Sequence, residues 1–139
     1  RESLLLYREL GLKEGLAVVL TNLGRAALHQ HDPAAAAPLY RESLGLCHEL
    51  GNARGAAEAI EGLAQVAEAQ ARYRQAAHLG AAAQALRETI GAPILPADRA
   101  YHEQAIAAAR GQLGDEEFDA IWAAGRGLTL DKVLAESAG

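Results

Sequence analysis

The chain has no methionine and one cysteine, Cys47, and only 4% of its residues are aromatic. A lone cysteine excludes an internal disulfide and fits a reducing compartment, so the expected location is the cytoplasm. No run of eighteen apolar residues occurs, and no charged start followed by an apolar stretch resembles a secretory signal. Cations are also scarce: 13 Lys and Arg stand against 18 Asp and Glu, for a net charge of −5. Binding to nucleic-acid phosphates draws its affinity from clustered Lys and Arg, so direct DNA binding by this segment is not expected. Half of the residues are nevertheless hydrophobic. With so few aromatics, alanine and leucine must do the packing through close helix approach.

What the sequence does have is an internal repeat. RESLLLYRELG at Arg1 to Gly11 returns as RESLGLCHELG at Arg41 to Gly51, and a decayed third copy ends in Thr89, Ile90 and Gly91, an offset of 40 each time. Gly15 and Gly55, Ala17 and Ala57, Leu23 and Leu63, Ala27 and Ala67, Ala36 and Ala76, and Leu39 and Leu79 match at the same offset. A period of this size is the signature of stacked helical units, which usually bind and rarely catalyse. Arg1 falls inside a repeat and no initiator methionine is present, so the sequence reads as a piece of a longer polypeptide.

One unbroken helix of forty residues would span about 60 Å, so each unit is expected to hold two helices. Gly11, Gly51 and Gly91 stand where a left-handed C-terminal cap is wanted, and Asp32 with Pro33 supplies an N-cap and a first helical position. The predicted helices are a truncated one over Arg1 to Leu10, then Lys13 to Gln30, Pro33 to Leu50, Ala53 to Ala71 and Tyr73 to Ile90. Leu16, Leu20, Leu23 and Ala27, and likewise Ile60, Leu63 and Ala67, form apolar stripes at helical spacing. Pro93 and Pro96 break the register. Beyond them, helices are expected near Asp98 to Leu113, Asp115 to Ala124 and Thr129 to Ser137, with Phe118, Ile121 and Trp122 giving bulk to a C-terminal cap. The expected architecture is therefore all-α, one continuous domain: a helix-pair solenoid over 1–91 and a helical capping segment over 92–139.

In the first unit Leu20, Leu23, Gly24, Asp32, Ala36 and Tyr40 fall at places that resemble the tetratricopeptide pattern. In the second, Ile60, Leu63, Ala64, Tyr73 and Ala76 do so, while Gly80 replaces the aromatic. Ala27 and Ala67 stand where the family has a tyrosine, and His48 and Glu88 where it has a proline. The resemblance implies antiparallel helix pairs wound into a right-handed superhelix. The stretch from Gly80 to Ala138 is similar to the end of large bacterial ATP-binding regulators, the LuxR and related signal-transduction ATPase group, some of them fused to adenylate cyclase. That likeness implies that ATPase, DNA-binding or cyclase modules lie outside this segment.

Candidate chemistry is thin. His29 and His31, two apart at a helix end, diverge and make a poor metal pair, because structural sites need three or four convergent ligands. Cys47 and His48 point about 100° apart on a helix, and packing is the better account of the thiol. Asp115, Glu116 and Glu117 suit a helix start, where carboxylates meet free N–H groups. Gly125, Arg126 and Gly127 lack the lysine of a phosphate loop. No catalytic residue, cofactor or metal is expected, and an enzyme would rest only on scattered histidines and acids. The distinctive surface is a polar stripe, Glu58, Glu61, Gln65 and Glu68, beside Thr21, Asn22, Arg25 and His29 of the preceding unit. In the resembled family these places line a partner-binding groove. The plainer alternative is a solvated face with an Arg25–Glu61 pair.

The expected role is thus a non-catalytic interaction or sensor scaffold of a multidomain regulator, binding a protein, a peptide or a small effector. The rival expectation is a structural segment that packs on its own ATPase domain, or self-associates through an apolar N-terminal flank of Leu4, Leu5, Leu6 and Leu16.

Overall fold

The computed structural model describes residues 2–138, so Arg1 lies outside the described part. It is all-helical: α1 (Glu2–His29), α2 (Pro33–Leu50), α3 (Ala53–Ala69), α4 (Tyr73–Ile90), α5 (Pro96–Leu113), α6 (Asp115–Arg126) and α7 (Leu130–Ala138). Consecutive helices from α1 to α4 pack side by side as two pairs, α5 lies against α3 and α4, α6 covers α4, and α7 returns to α2. None of the described helices is long and apolar enough to cross a membrane.

The turns follow their end residues. Asp32 accepts a hydrogen bond from the Ala35 N–H at 3.1 Å and Pro33 opens α2. Gly51 closes it in the left-handed region at φ 69°, with the Gly51 N–H bonded to the His48 carbonyl and the Asn52 N–H to that of Cys47. This paired closure satisfies two carbonyls that a helix end leaves free. Asn52 then caps α3 by accepting from the Gly55 N–H at 3.0 Å. Gly91 closes α4 in the same left-handed way, at φ 66°.

The expected break at Gly11 does not occur: α1 runs through it as one helix of 28 residues. The reason lies in the next residue. Gly51 is followed by the capping Asn52, and Gly91 by Ala92 and Pro93, whereas Gly11 is followed by Leu12 and Lys13, which neither cap a new helix nor forbid the old one. The uninterrupted ladder therefore wins. Smaller shifts are α5 starting at Pro96 and α6 extending to Arg126. Thr129 accepts from the Lys132 N–H at 3.3 Å, as a cap of the last helix should.

Two apolar clusters hold the layers. The larger joins Ala17 of α1, Ala36, Tyr40, Leu44 and Cys47 of α2, Ala56, Ala59, Ile60 and Leu63 of α3, and Leu79 of α4, with Val133 of α7 closing it. Tyr40 is its wedge. A Cβ on Gly24 of α1 would stand 3.0 Å from the Tyr40 ring, and one on Gly62 of α3 only 2.3 Å from it. The ring thus fills a slot that two missing side chains leave open. Burial raises the Tyr40 hydroxyl pKa to about 12. Thr21 and Ser43 share a buried hydrogen bond at 2.7 Å, and Ser43 donates to the Ala17 carbonyl at 3.1 Å. The smaller cluster sets Phe118 of α6 among Ala67, Ala76, Ala77 and Ala109.

Within each pair the turn is tighter than its sequence suits. His31 and Ala71 hold φ values of 60° and 59° without being glycine. A side chain in the left-handed region costs about 1–2 kcal/mol. Ala71→Gly relieves that strain at the expense of a freer unfolded chain, so urea unfolding should show a net gain of about 0.5–1 kcal/mol. A loss would show that the Ala71 methyl stabilises the turn more than its backbone strains it.

Candidate functional site

The first-helix face expected to form a groove is partly taken by the chain's own α5. The Asp98 carboxylate approaches the Arg25 Nε at 3.5 Å, and the Tyr101 ring lies 5.0 Å from that of His29. Arg25 also donates to the Asn22 side chain at 3.1 Å. Thr21 is buried in its bond to Ser43 and faces no partner. Glu58, Gln65 and Glu68 are half-buried along α3.

Glu61 does not pair with Arg25. It is buried and holds Arg87 of α4 in a two-pronged ion pair, at 2.5 Å from Nε and 2.9 Å from Nη2. The remaining guanidinium nitrogen, Nη1, donates to the Ala92 and Pro93 carbonyls at 3.1 and 3.2 Å. One side chain therefore ties α3, α4 and the proline loop together. Planar, two-pronged geometry of this kind is what guanidinium supplies and ammonium does not. The carboxylate beside it pushes the Arg87 pKa up further.

Beyond this pair opens a cleft of about 870 Å³ between the end of α4, the proline loop, α5 and α6. Ile106 and Trp122 form much of its apolar lining, with Pro93 and Ile94 on the loop side and Phe118 behind. The Phe118 and Trp122 rings stack at 5.3 Å, and the Arg110 guanidinium sits 4.2 Å over Phe118. Of the charged groups that line it, Arg110 pairs with Asp115 and Asp119, Glu88 pairs with Arg126, and Arg99 donates to the Ile94 carbonyl at 3.3 Å, while the Glu103 carboxylate is exposed. His102 also lines the cleft, and its Nδ1 is buried without a hydrogen-bond partner. Burial lowers its pKa, and the nearby Glu61 charge only partly opposes that. At neutral pH the cleft therefore offers an apolar floor and a neutral imidazole, an arrangement suited to holding an apolar group.

Of this cleft, spacing along the sequence marks only Glu61 as a site residue, with Phe118 and Trp122 expected as the bulk of a C-terminal cap and Pro93 as a break. Its strongest available signal was Gly80, which replaces the aromatic of the preceding unit. A Cβ there would fall 2.3 Å from Ile106 Cδ1 and 3.3 Å from Trp122, so the gap on α4 is where α5 and α6 insert. The other candidate groups are scattered. Cys47 is buried, and burial raises its thiol pKa. Its neighbour His48 turns away to Asp131 at 2.9 Å, and Glu117 pairs with Arg74.

Replacing Arg87 with Leu should lower unfolding free energy by about 3–5 kcal/mol, because Glu61 is left buried and unpaired. The Glu61→Leu/Arg87→Leu double variant should lose less than either single change, and additive losses would refute the coupling. The pH dependence follows from His102. Its folded pKa lies below the ordinary 6.5, so the unfolded chain takes up the proton first. Stability is full above that pH and falls as pH drops through it towards the lowered folded value. Thermal melts from pH 7.5 to 5 should decline, and His102→Phe should decline less steeply.

No family model matches the chain, and no solved structure matches it. Among curated proteins it is similar to chains from Mycobacterium bovis and from the CDC 1551 and H37Rv strains of Mycobacterium tuberculosis, each provisionally named an HTH-type transcriptional regulator. In each case identity is 30% over 118 residues, which is 85% of this chain but only 13% of the relative.

Proposed function

We propose that this helical segment is a non-catalytic, tetratricopeptide-like scaffold of a bacterial transcription regulator, acting in the cytoplasm, and that it holds a peptide or small effector in the α4–α5–α6 cleft. The observation that carries the reading is the cleft itself: an apolar floor of Ile106 and Trp122, Arg110 and Glu88 of its rim already in ion pairs, and a neutral His102 with a spare nitrogen. Likeness to chains named as transcription regulators supports the regulatory setting. The acidic composition supports a division in which DNA contact falls to other parts of such a protein. The LuxR and signal-transduction ATPase resemblance agrees with this division of labour. The ligand it favours carries an aliphatic or aromatic anchor and little charge.

A second reading has its own support. Because α5 meets Arg25 and His29, the first-helix face already serves internal packing, as a purely structural segment would require.

Trp122 is the chain's only tryptophan, so its emission reports on the cleft alone. Titration with a panel of amphipathic peptides and small apolar effectors should shift that emission for a true ligand. Ala107→Phe, which fills the cleft wall, should weaken binding at least tenfold, while Arg25→Glu on α1 leaves it unchanged. The opposite ranking would move the site to the first-helix groove, and a panel that shifts nothing would leave the structural reading standing.

A further inference from the structure

α1 exposes Leu16, Val19 and Leu23 at 44%, 52% and 50% of their surface. Their counterparts forty residues on, Ala56, Ala59 and Leu63, are buried in α3 within the cluster that contains Tyr40, Leu44 and Cys47 of α2. The same face of the repeat is therefore covered in one unit and bare in the other. The repeat itself states what covers it: the second helix of the unit before.

The chain already carries part of such a helix. Glu2–Leu10 repeats the sequence of Glu42–Leu50, so Leu4 answers to Leu44 and Tyr7 to Cys47. In α2, Cys47 seats against a glycine: a Cβ on Gly55 would lie 2.7 Å from its Sγ. The matching glycine, Gly15, is kept, but a Cβ there meets nothing within 4 Å. Leu4, Tyr7 and Leu10 are meanwhile exposed. A bare seat and an unseated helix thus lie on the two sides of Gly11, which, unlike Gly51 and Gly91, is not in the left-handed region.

We propose that Glu2–Leu10 is the closing half of the second helix of a further repeat unit, and that in a longer polypeptide the chain turns at Gly11 and lays this helix over Leu16, Val19 and Leu23. Tyr7 then takes the place above Gly15 that Cys47 takes above Gly55. Leu12 offers no side-chain cap, so the turn depends on packing by the rest of that unit. In the described residues α1 runs straight through Gly11 as one helix. Larger residues on α1 than on α3 further require the covering helix to be slim: where α2 uses Tyr40 against Gly62, α1 presents Asn22, and the preceding unit should carry a small residue.

The test places thiols at the predicted contact, as Tyr7→Cys/Gly15→Cys, in the full-length protein that contains this chain. In a straight helix the two positions are about 12 Å apart, beyond the roughly 7 Å that a disulfide spans between Cα atoms. Mild oxidation and peptide mapping should yield a 7–15 disulfide in the full-length protein and little in residues 1–139 alone. The single variant Leu16→Cys, which alters only an exposed site of this chain, should react with a maleimide at least tenfold more slowly in the full-length protein. Absence of the disulfide together with equal reactivity would overturn the proposal. So would a 7–7 cross-link between copies with dimers in sedimentation, which would make the face a self-association surface.

Discussion

The Glu61–Arg87 pair is the joint on which the second half of the molecule turns. Both side chains are almost withdrawn from solvent, at 7% and 8% exposure, so neither charge could stay there alone. Arg87 ends its helix donating simultaneously to a carboxylate on α3 and to two carbonyls of the loop that follows. That geometry fixes where Pro93 lies and hence where α5 can begin. Because α5 starts there, it crosses α3 and α4 and forms one side of the cleft. An ion pair of this sort is not efficient stabilisation compared with apolar packing of similar volume. Its contribution is to select one path for the chain after the repeats end.

The repeats end for a reason that can be read from volumes. In the first unit the space between neighbouring helices is filled from within by Tyr40, against Gly24 and Gly62. In the second, α4 has Gly80 where Tyr40 stood, and nothing in the unit fills the gap. Ile106 and Trp122 fill it from outside. With Ala105 and Ala109 buried beside them, these residues convert an edge that would accept another repeat into one that is closed. α7 completes the closure on the opposite side, where Val133 joins the main cluster and Glu136 meets His78 at 2.8 Å. The cleft is what remains where Ile106 and Trp122 do not fully occupy the space between the loop and the two helices.

Most of this fold was legible because it is written in local signals: Asp32 with Pro33, Asn52 after Gly51, the glycine stops and the period of forty. The continuous helix through Gly11 shows what a repeat match alone omits. A glycine permits a left-handed turn but does not require one, and residue 12 lacked the capping group that residue 52 has. The candidate site was less legible. Spacing along α3 placed Glu58, Glu61, Gln65 and Glu68 on one helix, yet it could not say that α5 would lie across that face or that Arg87 would claim Glu61. Those are contacts between residues tens of positions apart, set by the proline loop. Gly80 in place of an aromatic was the nearest thing to a signal, since a gap in a packed repeat implies a filler from elsewhere.

The strengths of the contacts decide between the groove and the cleft. Where α5 meets α1 it does so through Arg25 and Asp98, about one third exposed each, and through the exposed His29 and Tyr101 rings. Such surface contacts contribute on the order of 1 kcal/mol or less apiece. Where α5 meets α3 and α4 it buries Ala105, Ala109 and most of Ile106, and it cannot leave without opening both the Gly80 gap and the Phe118 cluster. A ligand competing for the groove would gain little by breaking the weak end and could not displace the strong one. A ligand entering the cleft meets a surface that is already formed and largely apolar. On these magnitudes the first-helix groove is a partly occupied face, and the proposed binding site lies in the space beside α5.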